Sequence, residues 1–386
     1  MPNDKKPIVQ IPVDKGDYLE YRISGVFQSQ GYLTRRAIPL KQAGNKQDAT
    51  DIDVLGIIFT APFQGHRIIC DCKNKSKPKP FERVFWAKGL GTFIDASEVY
   101  VALPKASWDF IQFANQGSVR ILTNDLLNNY SKNPMGQYGL ADHTHYGVFF
   151  DNLRKTVGSK KEAQDCLLRT KQLFLSENPY VSLNEAMDML SVISNKHLVA
   201  YQNDREKEFW KYIICELTVN VSIQVLWICS DTLCFSSEAR RNHIRERLTY
   251  GEYSPKVLHS ILNTAKEMAN EIIRSKVPAD YLPSQNIVDF GTIDPPDYTE
   301  DIIGLVERAI SNPDWYIRTP QLLDYLLFEQ GLKGKEFSDS AFRSMFRYGW
   351  ADENLKAARN ILSFIRDKIG LNWTTIWPKS EGNKVL

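Results

Sequence analysis

The stretch Asp51–Lys73 reads DIDVLGIIFTAPFQGHRIICDCK and contains two apolar runs with a turn between them. Ile52–Thr60 and Arg67–Cys72 are rich in β-branched and aliphatic residues, which favour strands. Pro62 ends the first run, and Gln64-Gly65 follows as the predicted turn. The two runs are close enough in sequence to pair as a hairpin.

The segments around this hairpin predict an α/β unit. A helical pattern and a short strand precede it, over Asp17–Gln30 and Ala37–Leu40. Helix and strand patterns alternate after it, over Phe81–Phe93, Val99–Leu103, Trp108–Asn115 and Val119–Leu122. The order helix, strand, hairpin, helix, strand, helix, strand predicts a mixed central sheet flanked by helices.

The rest of the chain predicts a mostly α-helical C-terminal region. A chain of 386 residues is long enough for about two domains. We predict a tail over 1–16, the α/β domain over 17–130, a linker over 131–159, a helical domain over 160–276, a proline-rich connector over 277–299 and a C-terminal helical region over 300–386.

Composition limits the function classes. A net charge of +2 excludes a uniformly basic nucleic-acid coat, although a local basic face remains possible. The six cysteines form no CxxC pair, which fits a reducing compartment. The N-terminus lacks the apolar run of a signal peptide, and the longest apolar stretch, Val219–Cys229, is too short to span a bilayer. We expect a cytoplasmic protein without a membrane partner.

Three charged residues at the open end of the hairpin form the candidate site. Side chains alternate along a strand, so Asp71 and Lys73 point to one face. The hairpin can place Asp53 beside Asp71. Two carboxylates are what a protein commonly offers Mg²⁺, and a neighbouring lysine can stabilise charge on a phosphate.

This arrangement resembles the PD-(D/E)XK, or restriction-endonuclease-like, nucleases, and most closely their Mrr-type and Holliday-junction-resolvase branches. The resemblance implies that Asp53 and Asp71 bind Mg²⁺ or Mn²⁺, that Lys73 is the motif lysine and that Glu20 is the acid of the first helix. No proline precedes Asp53, which is a common departure. The resemblance covers about 115 residues, and the remainder of the chain resembles nothing that we recognise.

The residues themselves leave two other interpretations open. The hairpin could be an edge with solvated Asp and Lys side chains at its ends, or the fold could be retained for binding alone. Asp51 could be a neighbouring metal ligand or a solvated partner of Asp53. His143 and His145 form a loop pair without a third ligand at a suitable spacing.

Two groups of basic residues are candidates for binding a nucleic-acid backbone, with a solvated loop or helix face as the alternative for each. The first group follows the motif lysine and consists of Lys75, Lys77, Lys79, Arg83 and Lys88. Arg83 and Lys88 lie on the helix after the motif, where the resembling enzymes often place a basic group towards the site. The second lies in the densest basic run of the helical region and consists of Arg240, Arg241, Arg245 and Arg247.

These observations predict a metal-dependent nuclease whose helical region contributes substrate recognition, homo-oligomerisation or binding of a protein partner. DNA is the expected substrate because the resembling branches act on DNA, and RNA is not excluded. Restriction, phage defence or repair would suit such a fusion. The competing hypotheses are a catalytically silent nucleic-acid-binding module and a helical protein–protein scaffold.

Overall fold

The computed structural model describes residues 15–41, 48–73, 79–132, 161–199, 204–277, 288, 293–334, 340, 342–343 and 351–376. Lys75, Lys77 and the histidine pair at 143 and 145 lie outside the described residues. So do nearly all of the predicted tail and linker and most of the proline-rich connector.

A five-stranded mixed sheet forms the N-terminal part, as predicted. Its strands are β1 Leu33–Lys41, β2 Asp48–Thr60, β3 Gln64–Cys72, β4 Glu98–Leu103 and β5 Val119–Thr123, and they follow one another in that order across the sheet. The strands β1, β2 and β3 pair antiparallel, whereas β3, β4 and β5 pair parallel. The hairpin turn lies at 61–63, so the predicted turn at Gln64-Gly65 was wrong: both residues already belong to β3.

Helices cover both faces of the sheet. They are α1 Lys15–Ser29, α2 Pro80–Phe93, α3 Trp108–Gln116 and α4 Asn124–Lys132, the last of which was not predicted. The face with Val54 and Cys70 packs on Ile23 of α1. The opposite face, with Ile69, packs on Val84 of α2. Alternation along β2 and β3 places each strand's side chains in two separate cores.

The C-terminal part is mostly helical, as predicted. Its helices are α5 Lys161–Gln172, α6 Pro179–Val199, α7 Asp204–Thr232, α8 Ser237–Tyr250, α9 Pro255–Lys276, α10 Thr299–Ser311, α11 Pro313–Tyr316, α12 Thr319–Asp324, which continues as a π-helical segment over Tyr325–Leu332, and α13 Ala351–Ile369. Short 3₁₀ turns occur at Leu173–Leu175 and Trp373–Thr375.

Helix α7 is the central helix of this region. Among the described helices it alone is long and apolar enough to cross a membrane by length and composition, with a mean hydropathy of 1.6 in its most apolar window. However, 89% of that window is buried by neighbouring protein, as in the core helix of a soluble protein. The apolar stretch Val219–Cys229, predicted to be too short to span a bilayer, lies in the C-terminal half of this longer helix.

The sheet and the helices share one continuous core on the face that packs on α2. A buried ion cluster reinforces this junction. Arg35 of β1 donates from Nε to Glu216 of α7 at 2.6 Å and from Nη2 to Asp324 of α12 at 2.9 Å. Burial alone would lower the pKa of Arg35, but the two carboxylates outweigh it and raise the pKa. Three distant segments are therefore held together by one guanidinium.

Candidate active site

Strand register places the two predicted acids opposite each other. Val54 of β2 pairs with Cys70 of β3, so the next position in each strand brings Asp53 beside Asp71. The Asp53 carboxylate accepts a hydrogen bond from the Cys72 backbone N–H at 2.6 Å. The Asp53 side chain thus accepts the bond from a backbone N–H of β3 at the point where the backbone pairing of β2 and β3 ends.

Lys73 lies against both carboxylates. Its Nζ is 3.5 Å from Asp53 Oδ2 and 3.6 Å from Asp71 Oδ1, so these two oxygens can be no farther apart than the sum of the two distances, about 7 Å. The exposed fractions are 11% for Asp53, 6% for Asp71 and 30% for Lys73. The structure therefore brings together the three residues that the sequence grouped, in a partly buried cluster.

The environment of Asp53 disfavours its charged form. Burial raises the pKa of Asp53, and the nearby charges of Asp71 and Asp51 add to this rise. The hydrogen bond from Cys72 and the charge of Lys73 offset part of it. A carboxylate whose pKa is raised beside a second acid is typical of functional sites, because packing alone would place a neutral group there.

Arg83 of α2 belongs to this cluster. Its Nε donates to Asp71 Oδ2 at 2.8 Å, and its Nη2 contacts Asp71 Oδ1. Both oxygens of Asp71 therefore face one guanidinium. The sequence placed Arg83 on the helix after the motif as a backbone-binding residue, but its pairing with the second acid was not foreseen.

Glu20 lies in an ion pair on the α1 side of the sheet. Its Oε2 accepts a hydrogen bond from Arg36 Nη2 at 2.7 Å, and Arg36 stacks on the ring of Tyr21 at 3.5 Å. Burial raises the pKa of the Cys72 thiol, and the charges of Asp53 and Glu20 raise it further. Glu20 is thus close enough to influence the end of β3, and its role as a further acid stays a prediction.

The donor set fits a divalent cation. Mg²⁺ binds through one or two carboxylates and keeps several waters, and Asp53 and Asp71 supply this number. The described residues contain no group of three or more His, Cys, Asp and Glu side chains that could form an all-protein metal cage. Two carboxylates against Lys73 and Arg83 also leave the cluster near neutrality, so Mg²⁺ or Mn²⁺ would bring the positive charge that a phosphate requires.

A cleft of about 600 Å³ lies beside Asp53 and was not foreseen. It is lined by Ala37, Pro39, Thr50, Asp51, Gln164, Leu167, Leu168 and Lys171, from β1, β2 and α5. Ala37 lies opposite Asp53 in the register of β1 and β2, since both of its neighbours are paired in that register. Lys171 of α5 donates to the Ala37 carbonyl at 3.0 Å. The helical region thus contributes a cation next to the candidate site.

The other two predicted basic residues of this segment, Lys79 and Lys88, lie on the exposed side of α2. Lys88 is exposed, and Lys79 immediately before the helix forms an exposed pair with Glu82 at 2.9 Å. Exposed pairs of this kind are weak and easily exchanged. Both lysines therefore remain candidates for contact with a phosphate backbone.

The arginine run on α8 serves the protein's own packing instead. Arg240 is buried and donates to the carbonyl of Thr232, the last residue of α7, and to that of Phe235 in the loop before α8. Arg241 and Arg245 both pair with Glu300 of α10. The interpretation of Arg240 as a surface contact was wrong, because the end of a long helix needs donors for its last carbonyls.

The other members of the run are also engaged. Arg247 donates to the Gly251 carbonyl at 3.2 Å, and Arg241 has a second acidic partner in Glu307 at 3.3 Å. A nucleic acid would have to displace these partners to reach the arginines.

Comparisons with known proteins give no relative: no protein-family model matches the chain, and neither a curated protein nor a solved structure does.

Proposed function

We propose that the chain is a metal-dependent nuclease that hydrolyses phosphodiester bonds at the Asp53–Asp71–Lys73 cluster. The observation that carries the proposal is the approach of two carboxylates from antiparallel strands to one lysine nitrogen, within 3.6 Å. A solvated hairpin edge would leave these side chains exposed, whereas Asp71 is 6% exposed. Lys73 and Arg83 compensate the two buried carboxylates, and both can turn to a phosphate when a cation takes their place.

Each residue has a distinct role in the proposed reaction. A bound divalent cation would supply Lewis-acid stabilisation of the phosphate. Asp53 and Asp71 would hold that cation through one carboxylate each. Lys73 places its ammonium where charge develops on the phosphorus oxygens. Arg83 is close enough to exchange its hydrogen bonds with Asp71 for bonds to a phosphate.

DNA is the proposed substrate, and the cleft beside Asp53 is its proposed path. The cleft has a volume of about 600 Å³, and Lys171 is among the residues that line it. We assign Lys79 and Lys88 to the flanking backbone, where phosphate contacts position a substrate without specifying its sequence. A role in restriction, phage defence or repair belongs to the same proposal.

The test is cleavage by the full chain. Plasmid, linear duplex, single-stranded DNA and RNA are incubated with Mg²⁺ or Mn²⁺, and with EDTA. We expect cleavage that requires the metal and that Asp53→Ala, Asp71→Ala and Lys73→Ala abolish. Asp125→Ala, at an exposed aspartate of α4, is the matched control and should cut normally. Equal cleavage by the first three variants and the wild type would refute the proposal.

One observation favours a second candidate function, a nucleic-acid-binding module without catalysis. Arg83 engages both oxygens of Asp71, the acid that a metal would need. If Arg83 cannot release Asp71, no metal binds that carboxylate. The cluster then binds a phosphate through Lys73 and the remaining N–H groups of Arg83 but does not cut the nucleic acid. Metal-independent DNA binding with no cleavage in either metal, by the wild type and by Arg83→Gln, would select this candidate.

A further inference from the structure

Helices α2 and α3 present an aromatic face to solvent. We define it as Phe81, Phe85, Trp86, Phe93 and Trp108, which are 51%, 67%, 47%, 74% and 70% exposed. An aromatic side chain has about 150–250 Å² to bury, so these exposed fractions correspond to about 600 Å² of surface. Contiguous patches of this size mark interaction sites, and a stable interface takes about 800 Å² from each partner.

The aromatic face is one surface because rings join the two helices. Phe81 of α2 packs edge-on against Phe113 of α3 with ring centroids 4.9 Å apart. Phe85 contacts the same Phe113 ring at 5.8 Å. The rings of Phe81 and Phe85 are therefore ordered before any partner arrives, which reduces the entropy that binding would cost.

An exposed glycine lies in the middle of the aromatic face. Gly89 is one turn after Phe85 and one turn before Phe93, and a Cβ built there meets nothing within 4 Å. Gly91 differs, because its Cβ would lie 2.3 Å from Val99 Cγ2. Glycine disfavours a helix interior, so packing within the chain explains Gly91 but not Gly89. A glycine on an exposed stripe permits close approach of a second backbone.

The charges around the aromatic face select the occupant. Lys79 pairs with Glu82 at 2.9 Å, and Lys88 of α2 and Asp109 of α3 are exposed on the same two helices, so charges of both signs accompany the aromatic residues. A nucleic acid lying across the aromatic face would meet Glu82 and Asp109 as well as the two lysines. In a two-fold pair, each residue meets the symmetry copy of another, and a rim of mixed sign can then complement itself.

We propose that the aromatic face is the homodimer interface, with α2 crossing α2 of a second copy near Gly89. Phe85 and Phe93 of each copy then pack on either side of the crossing, where aromatic anchors contribute most of the binding energy. The helix fixed in this way also carries Arg83, which reaches Asp71. This interface belongs to the α/β part and not to the helical region, and it does not depend on nuclease activity.

The test is sedimentation velocity of the full chain over roughly a hundredfold range of concentration. We expect a monomer–dimer equilibrium whose dissociation constant Phe85→Glu raises at least tenfold. Tyr253→Glu, at an aromatic residue 63% exposed on the helical region, is the control and should leave the constant unchanged. Far-UV circular dichroism and the melting temperature of the monomer check that Phe85→Glu folds.

Gly89→Leu tests whether the two α2 helices pack closely at Gly89 or only make a loose apolar contact. Leucine favours the helix and adds apolar surface, so it should keep or raise the melting temperature of the monomer while weakening the dimer. A chain that stays monomeric throughout, or a dimer that Phe85→Glu and Gly89→Leu leave intact, would overturn the proposal. So would a monomeric wild type whose affinity for a labelled oligonucleotide falls in Phe85→Glu, because the face would then bind nucleic acid.

Discussion

Arg83 and Asp71 are joined by two parallel hydrogen bonds from Nε and Nη2 to the two carboxylate oxygens. The arginine comes from the first turn of α2 and the aspartate from the end of β3. The pair links the helix that follows the motif directly to the second acid. Any divalent cation that binds Asp71 must share this carboxylate with the guanidinium.

Arg83→Gln should therefore separate metal binding from catalysis. Loss of the competing guanidinium should tighten Mn²⁺ binding, measured by calorimetry. Cleavage should nevertheless slow by about tenfold to a thousandfold, because one donor to the phosphate is lost. Lys88→Gln on the exposed side of the same helix should leave metal affinity unchanged. Weaker Mn²⁺ binding in Arg83→Gln would contradict the competition.

The raised pKa of Asp53 predicts that its ionised form destabilises the folded state. This cost is absent below the pKa of an unfolded aspartate, near 3.8, and grows as pH rises through the higher folded pKa. Asp53→Asn should hence unfold at a higher denaturant concentration than the wild type at neutral pH, and the gain should vanish under acidic conditions. Asp125→Asn should show no such pH dependence. If Asp53→Asn is less stable than the wild type at neutral pH, the hydrogen bonds of the Asp53 carboxylate stabilise the fold by more than its burial destabilises it.

The ion cluster of Arg35 predicts a large stability effect. Arg35→Met leaves the carboxylates of Glu216 and Asp324 buried without their guanidinium, and such a change costs about 3–5 kcal/mol of unfolding free energy. Arg120→Met, which removes a pair with a 62% exposed arginine, should cost at most about 1 kcal/mol. Chemical denaturation measures both variants. Equal effects would mean that the buried cluster contributes no more than a surface pair.

The sequence predicted those parts of the site that follow from the alternation of side chains along a strand and from the shortness of the hairpin. Asp71 and Lys73 share a face because strands alternate, and Asp53 joins them because the hairpin is short. The pairing of Arg83 with Asp71 depends instead on the angle of α2 against the sheet, which no local pattern encodes. Helix α4 was missed because its sequence, NDLLNNYSK, offers only a short apolar stripe.

The sequence likewise could not show which charged side chains are buried. The α8 arginines form a basic run that is indistinguishable from a nucleic-acid-binding helix until the end of α7 is placed beside it. Arg240 then donates to the carbonyl of Thr232 at the end of α7 and is buried there. Glu20 pairs with Arg36 for a similar reason, since α1 covers the face of the sheet from which Arg36 projects.

Recognition of a nucleic-acid backbone should depend on α2 and not on α8. Each phosphate neutralised adds about 0.9 to the slope of log affinity against log salt concentration. Lys79→Gln with Lys88→Gln should therefore lower that slope by up to about two. Arg241→Gln with Arg245→Gln should leave it unchanged, because the carboxylates of Glu300 and Glu307 balance the charge of these two arginines.

Glu300→Gln provides the decisive control for this assignment. The arginines lower the pKa of Glu300, first through the hydrogen bond from Arg245, so the carboxylate is ionised and paired at neutral pH. Its neutralisation releases positive charge on α8 without altering α2. If α8 faces the substrate, Glu300→Gln should raise the affinity for DNA and steepen the salt slope. We expect neither change in fluorescence-anisotropy titrations, and a steeper slope would return the α8 arginines to the binding surface.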